Sequence, residues 1–313
     1  MELETFAWIR GRRAAFDLAN SGVAELDVPP SAEAPPLEEV VESLYGVSRG
    51  EVVLTAGAQE GNFLAFAAVK PETVVTVRPE YEPIYKLPEV FGVRHLEVED
   101  VWEAELKPGT LLFFSSPNNP TGRFLSRKEL WELADEARRK GAYLLLDVIF
   151  SDFVTDDLLG WPLENVAYSH STDKFYTSHL RVGWLFGDRK VVERARFLKD
   201  LVNPGPREPE KRAGAYLLSR RAEVKSRNLA LIRPNAEALL SAFPQTLYVH
   251  HMPIALVETG CDDLELAERL LARGVKTVPG SFFKASRAVR IGLGIEEPGR
   301  FLEALRILRE EWC

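Results

Sequence analysis

Short apolar runs alternate with amphipathic stretches along most of the chain, and this alternation predicts an α/β fold. Six of the runs are continuously apolar, which is typical of strands buried on both faces of a parallel sheet. These runs span residues 51–55, 74–77, 110–115, 143–150, 166–169 and 182–186. Between two of them, Ser126 and Glu129 form a capping-box pattern and Gly141 follows as a C-cap, which predicts a helix. The chain is therefore expected to form a mostly parallel central sheet flanked by helices.

A second, smaller α/β pattern follows a proline-rich break at residues 203–209 and a long charged helix. Its strands and helices are predicted at residues 248–257, 264–271, 288–293 and 301–312. We therefore predict two domains. The large one covers residues 46–225, and the small α/β domain is built from both chain ends, residues 1–45 and 226–313.

The composition is typical of a soluble globular protein, because 46% of the 313 residues are hydrophobic and 27% are charged. The 47 acidic and 39 basic residues leave a net charge of −8, which gives no electrostatic reason to bind nucleic acid or anionic lipid. No apolar run approaches the roughly 20 residues that span a bilayer, and the first residues lack the order of a secretory signal. We therefore expect neither nucleic acid nor a membrane as partner.

Only two cysteines occur, Cys261 and Cys313, which is too few for a disulfide framework or a thiolate metal site. This usage fits a reducing cytoplasm. The scarcity of Met, Cys and Gln, together with 27 Arg against 12 Lys, favours a heat-adapted source.

Polar side chains recur directly after the apolar runs, where ligands bind in open α/β sheets. They include Asn119 in a Ser-Pro-Asn-Asn-Pro-Thr-Gly segment, Asp147 within a run, and Lys174 with Arg181 beyond another. Taken singly, each has an ordinary structural explanation: a turn, a helix cap or a solvated charge, and for Arg290 an edge-strand charge. Their order and spacing together indicate a cofactor site.

This constellation resembles the fold type I pyridoxal-5′-phosphate enzymes, specifically the class I and II aminotransferases related to aspartate aminotransferase. The resemblance runs from Gly57 to Arg290 through Asn-Pro-Thr-Gly, Asp-x-x-aromatic, Ser-x-x-Lys, Arg-x-Gly and Pro-Gly. It implies a large domain that binds pyridoxal 5′-phosphate, an amino acid and a 2-oxo acid as substrates, and a homodimer.

The resemblance also implies a role for each matching residue. Lys174 would form the Schiff base with the pyridoxal aldehyde and move the proton from Cα to C4′. Asp147 would keep the pyridine nitrogen protonated, Asn119 would donate to O3′, and Tyr81 would stack on the ring. Arg290 would clamp the substrate α-carboxylate in a bidentate pair.

Four further positions would bind the cofactor phosphate by the same resemblance. Ser171 and Arg181 would hold it, helped by the backbone N–H groups of Ala58 and Gln59 at a helix N-terminus. Gly22, in an early Asn-Ser-Gly-Val segment, resembles a loop that approaches the substrate.

Three features depart from the family pattern. Phe150 stands where relatives have a tyrosine that donates to O3′, so this oxygen is expected to be more basic. Asp173 precedes the lysine, and we expect it to point into solvent, because an unpaired acid beside a phosphate is costly. The phosphate-binding tyrosine that relatives supply from a neighbouring subunit has no match, since Tyr45 lies too close to the following strand.

Two other functions remain open at this stage. A decarboxylase or β-lyase of the same fold would use the same cofactor and differ in the bond that lies perpendicular to the ring. A silent paralogue would bind the cofactor or a peptide without catalysis. The five histidines have no metal-ligand spacing, so no metal is expected. The sequence also contains neither a dinucleotide fingerprint nor a phosphate loop.

Overall fold

The computed structural model describes residues 2–29 and 33–313. Its strands are β1 (Phe16–Asp17), β2 (Val52–Thr55), β3 (Thr73–Val77), β4 (Arg94–Val98), β5 (Thr110–Ser115), β6 (Tyr143–Asp147), β7 (Val166–Ser171), β8 (Gly183–Gly187), β9 (Ile254–Glu258), β10 (Val275–Lys276), β11 (Val278–Pro279) and β12 (Ala288–Gly292). Its α-helices are α1 (Glu4–Ile9), α2 (Leu37–Tyr45), α3 (Ala58–Val69), α4 (Glu82–Phe91), α5 (Arg127–Lys140), α6 (Ser151–Val154), α7 (Arg189–Val202), α8 (Glu208–Ser219), α9 (Arg221–Ala242), α10 (Asp263–Ala272) and α11 (Pro298–Glu311).

Seven strands form the central sheet in the order β2-β8-β7-β6-β5-β3-β4. The strands from β7 to β4 are parallel to their neighbours, so the predicted α/β class with a mostly parallel sheet is confirmed. The exception is β8, which runs antiparallel to both β2 and β7. The reason is the connection through residues 172–182, which contains turns and no helix, whereas a parallel return needs a long crossover.

Helices cover both faces of the sheet, which explains why its strands are continuously apolar. On β5, Leu111 and Phe113 face the cluster that includes α3 and α7, while Leu112 and Phe114 face the cluster that includes α5. Successive side chains of a strand point to opposite faces of the sheet. When helices cover both faces, nearly every position of the strand is buried and most of its residues are apolar. The capping box of Ser126 begins α5 as predicted.

A smaller group of elements lies at the two chain ends. β11, β12 and β9 form an antiparallel sheet, and β1 from the N-terminal region pairs with β10 from the C-terminal region. α2, which the predicted boundary assigns to the small domain, packs instead on the central sheet. The ring of its last residue, Tyr45, is buried 4.2 Å from the ring of Phe186 in β8.

The two cysteines are joined, contrary to the expected reduced state. Cys261 precedes α10 and Cys313 follows α11, and the disulfide between them ties these two helix ends together. Because α10 and α11 pack against each other, positions 52 residues apart in sequence become neighbours.

Within residues 2–29 and 33–313, no helix combines the length and the apolar character that crossing a membrane requires. The same part of the chain contains no group of three or more His, Cys, Asp or Glu side chains that could hold a metal ion.

Candidate active site

A cavity of about 430 Å³ lies at the carboxyl ends of β3, β5, β6 and β7. Its wall includes all of the site residues predicted from the sequence except Gly22. These are Ala58, Gln59, Tyr81, Asn119, Asp147, Phe150, Ser171, Lys174, Arg181 and Arg290. The parallel order of the strands explains this convergence, because it brings their carboxyl ends to one edge of the sheet.

Asp147 places a buried carboxylate at the floor of the cavity. It accepts hydrogen bonds from Asn62 Nδ2 at 2.8 Å and from the Ile149 backbone N–H at 3.2 Å. Burial raises the pKa of Asp147 to about 6, against the opposing effects of these bonds and of the Lys174 charge. A cationic group beside this carboxylate would favour its ionised form.

Asn62 is a site residue that the sequence analysis missed. It lies on α3, is almost fully buried, and accepts a hydrogen bond from Ser169 while it donates to Asp147. Its only sequence signal is an amide that follows the polar first turn of α3 and precedes a run of apolar and small residues. Since buried amides need partners, that signal predicts a polar neighbour without saying which one.

Lys174, Asp173 and Arg181 form a charged group at one side of the cavity. The Asp173 carboxylate lies 2.5 Å from Lys174 Nζ and 3.6 Å from Arg181 Nη1, and its side chain is 17% exposed. The expectation that Asp173 points into solvent is therefore wrong. That expectation assumed an unpaired acid, but the Asp173 carboxylate is paired, because the cationic side chains of Lys174 and Arg181 both lie beside it.

The N-terminus of α3 forms an anion-binding corner beside Arg181. Gly57 precedes the helix with a φ of +97°, and a Cβ at this position would lie 3.4 Å from the Arg181 guanidinium. Gly183 packs so closely that its Cβ would lie 2.6 Å from the Gly57 backbone. The first N–H groups of a helix lack intrahelical partners, so those of Ala58 and Gln59 are available to an anion.

Arg290 places a buried guanidinium in the wall of the cavity. It donates to Asn119 Oδ1 at 2.9 Å and to the Ala19 carbonyl at 2.6 Å, and its Nε has no hydrogen-bond partner within the described residues. Burial lowers the pKa of Arg290 to about 10. Arg290 forms no ion pair within the described residues. A bound carboxylate could therefore accept hydrogen bonds from the guanidinium N–H groups that have no partner.

Aromatic side chains form the remaining walls near Asp147. Tyr81 and Phe150 both line the cavity, and Phe150 is 1% exposed and brings no hydrogen-bond donor. Gly22 does not line it. Its backbone lies behind the wall, where a Cβ would be 3.4 Å from the carbonyl oxygens of Asp173 and Lys174, and Ser21 contributes to the wall instead.

Helix α1 covers one side of the cavity, which the sequence analysis did not foresee. Its Thr5, Phe6 and Ile9 line the cavity, and so does Arg10, which follows the helix. The helix is held in place by Glu82, whose buried carboxylate accepts hydrogen bonds from the Glu4 and Thr5 backbone N–H groups, and by Trp8, which donates to the Thr277 carbonyl. A six-residue helix has too few positions for a periodic signal.

Comparison with known sequences identifies the family. The family model for aminotransferase class I and II matches residues 8–299. The chain is 30% identical over 296 residues to an aspartate aminotransferase from Thermococcus kodakarensis, which covers 88% of this chain and 78% of that protein. It is 27% identical over 312 residues to a histidinol-phosphate aminotransferase from Dinoroseobacter shibae, which covers 92% of this chain and 85% of that protein.

Solved structures show the same fold. A PLP-dependent aminotransferase from Streptococcus suis superposes with a TM-score of 0.87 at 21% identity, over 99% of this chain and 98% of that one. An aspartate aminotransferase single mutant from Thermus thermophilus gives a TM-score of 0.83 at 20% identity, over 98% and 94%. With the family model matching nearly the whole length, this chain belongs to the class I and II aminotransferases.

Proposed function

We propose that this protein transfers an amino group between an amino acid and a 2-oxo acid with pyridoxal 5′-phosphate held in the cavity described above. The observation that carries the proposal is that a buried carboxylate, a primary amine and a buried guanidinium line one cavity, from Asp147, Lys174 and Arg290. When bound, the cofactor supplies an aldehyde for the amino group and a cationic ring that delocalises the electron pair of Cα.

The donor set of the cavity fits this cofactor. Asp147 is a buried carboxylate that meets neutral donors on one side and the cavity on the other, so a protonated ring nitrogen would complete its environment. The N-terminus of α3 together with Ser171 and Arg181 suits a phosphate. Tyr81 and Phe150 suit the flat ring between these two ends.

Lys174 is the residue that we assign to covalent attachment and to proton transfer. It is a primary amine in the cavity wall, with 27% of its side chain exposed, so a substrate amine can replace it. Its Nζ, once released, would take the proton from the substrate Cα. Arg290 would hold the substrate α-carboxylate meanwhile, and Asn119 would orient both Arg290 and the O3′ end of the cofactor.

Asp173 should weaken cofactor binding, because its carboxylate faces the corner where a phosphate would sit and already contacts Arg181. We expect Asp173→Ser to lower the dissociation constant of pyridoxal 5′-phosphate by about tenfold, since it removes a like charge from a partly screened site. Fluorescence titration of the apoprotein measures this constant. Glu193→Gln on α7 is the matched control, because it changes the net charge equally outside the cavity wall. An unchanged or weaker affinity for Asp173→Ser would contradict the assignment.

Arg10 favours an acidic substrate. Besides Lys174, Arg181 and Arg290, it is the remaining basic residue of the cavity wall, and its guanidinium lies 5.1 Å above the ring of Phe6. Arg10 is exposed and forms no ion pair within the described residues, so its guanidinium is available to a carboxylate on the substrate side chain. This arginine is the second one that an acidic amino acid requires.

The assay that tests the proposed function supplies pyridoxal 5′-phosphate, 2-oxoglutarate and one amino donor at a time: aspartate, leucine or phenylalanine. We expect equal amounts of glutamate and of the donor's 2-oxo acid, with kcat/KM for aspartate at least about tenfold above that for leucine. Carbon dioxide in place of glutamate would identify a decarboxylase. Ammonia with pyruvate, formed from cysteine as an additional donor whose β-thiol leaves as hydrogen sulfide, would identify a β-lyase. No turnover of any donor would support the silent paralogue.

We also propose that the protein is a homodimer. Helices α3 and α7 pack against each other, and both carry exposed apolar side chains: Phe63 on α3 is 46% exposed and Phe197 on α7 is 65% exposed. Leu201 and Val202 at the end of α7 are exposed as well. Exposed apolar side chains concentrated on two packed helices suit an interface, and α3 begins beside the cavity.

A further inference from the structure

Glu80 is a buried acid that the proposed mechanism does not use. It follows β3, directly before Tyr81, and is fully buried. Its Oε1 accepts hydrogen bonds from the Tyr81 N–H at 2.7 Å and from the Ser115 hydroxyl, and its Oε2 accepts from the Ser115 N–H at 2.8 Å and from Asn118 Nδ2 at 3.3 Å. Four donors therefore converge on one carboxylate.

These contacts continue to the residues that we assign to the substrate. The Ser115 hydroxyl oxygen accepts a hydrogen bond from the Asn119 backbone N–H at 3.1 Å, and Asn119 Oδ1 accepts one from Arg290 at 2.9 Å. On its other side, the Glu80 N–H donates to the Phe283 carbonyl at 3.0 Å, and the Phe283 ring lies 5.0 Å from the Arg290 guanidinium carbon. Two series of contacts therefore connect Glu80 to Arg290, one through Ser115 and Asn119 and the other through Phe283.

We propose that Glu80 is a positioning residue for the carboxylate end of the site, which acts through Ser115 on Asn119 and Arg290. This inference rests on the proposed function, because it assigns Arg290 to the substrate carboxylate. A positioning group outside the cavity can have a large effect, since small displacements of a clamp weaken every contact that it makes with the substrate.

The protonation state of Glu80 would alter this arrangement. The ionised carboxylate can accept from all four donors, whereas a protonated one must itself donate, and the Ser115 hydroxyl then turns away from it. Burial raises the pKa of Glu80 to about 8, against the hydrogen bonds from Ser115 and Tyr81, and the nearby Asp147 charge raises it further. Asp147 from β6 is the charged group that acts on it, and β5 presents the neutral donors named above. α4 begins two residues later with Glu82, whose carboxylate is occupied by the Glu4 and Thr5 N–H groups.

The experiment compares the holoenzyme with Glu80→Gln. The amide places an N–H group against either the Tyr81 or the Ser115 N–H, so the loop must shift. At pH 9, where the wild-type carboxylate is ionised, we expect KM for the amino acid to rise about tenfold while kcat changes by less than about threefold. The dissociation constant of pyridoxal 5′-phosphate should rise by a smaller factor than KM, because Glu80 contacts the ring through Tyr81 and Asn119 while the phosphate is held by other residues.

Binding without turnover provides a second readout. Glutarate and 3-phenylpropionate carry the carboxylate of a substrate but no amino group, and calorimetry gives their dissociation constants. Because the change concerns the residues that bind the α-carboxylate, Glu80→Gln should raise the dissociation constants of both analogues by a similar factor. Weakening of glutarate alone would place the effect at the side-chain end and overturn the proposal.

The pH dependence separates positioning from a general loss of structure. The ratio of wild-type to Glu80→Gln kcat/KM should grow as the pH rises through about 8, where the wild-type group ionises. A ratio that stays constant from pH 6.5 to 9.5, together with an unchanged KM, would overturn the proposal.

Ser115→Ala keeps the test decisive if Glu80→Gln does not fold. It removes the hydroxyl that links Glu80 to Asn119 and should raise KM by a similar factor. If both act through one path, the double variant costs no more than the larger single change. Additive effects would mean that Glu80 does not act through Ser115.

The matched control is Asp188→Asn. Asp188 is a buried carboxylate that accepts from the Asn165 N–H at 2.9 Å and from the Lys190 N–H at 2.9 Å and does not line the cavity. This variant should leave KM unchanged even if it lowers the stability of the folded protein. If wild type itself transaminates nothing, the proposed function fails; if wild type is active and Glu80→Gln matches it throughout, only the present inference fails.

Discussion

Lys174→Ala is expected to lower the turnover number by at least about 10,000-fold, because the variant lacks both the attachment point of the cofactor and the base for the Cα proton. The cavity offers no second primary amine, since its other basic residues within the described chain are arginines. Arginine stays protonated at working pH and cannot take over either role. Steady-state rates with aspartate and 2-oxoglutarate measure the loss.

Borohydride reduction tests the same assignment by a covalent label. Reduction of the wild type in the presence of pyridoxal 5′-phosphate should fix one pyridoxyl group on the peptide that contains Lys174, as read by mass spectrometry. Lys190→Ala, on the exposed side of α7, is the matched control and should keep both the label and the activity. A label on another lysine, or Lys174→Ala activity within tenfold of wild type, would refute the role of Lys174.

Arg290→Met is expected to lower kcat/KM by about 1,000-fold. The guanidinium is buried and has donors left over, so a substrate carboxylate gains two charge-assisted hydrogen bonds there, each contributing about 1.5–3 kcal/mol. Their sum corresponds to a change of this order in kcat/KM. Kinetics with aspartate and with leucine should show the same factor, because both carry the α-carboxylate.

Stability distinguishes a lost substrate contact from a damaged fold. Removing a buried charge that has no anionic partner relieves desolvation, while Asn119 and the Ala19 carbonyl each lose a donor, so the two effects oppose each other. We expect the Tm to move by less than about 5 °C. Arg309→Met on the exposed end of α11 should leave activity intact. A collapse of Tm together with activity would show that Arg290 is structural.

The elements that could be predicted from the sequence are those whose burial is complete. The run at 110–115 is β5 residue for residue, and the capping box at Ser126 begins α5. β4 was not predicted, because this edge strand has charged side chains such as Arg94 and Glu97 and therefore no continuous apolar run. α1 was missed because tertiary hydrogen bonds to Glu82 and Thr277 hold it, and these involve residues far away in sequence.

The sequence already contained the kinds of groups that the chemistry needs, because a strand buried on both faces followed by a polar loop can be recognised locally. Those strand ends could be located in this way, but the roles of Lys174, Asp147 and Arg290 were implied by the resemblance to the family motifs, and Arg290 lies inside β12. The direction in which a side chain points and the group that it contacts depend instead on contacts between distant segments. The inward turn of Asp173 and the disulfide of Cys261 were decided there, because the strength of a charge or thiol contact depends on what stands opposite in space.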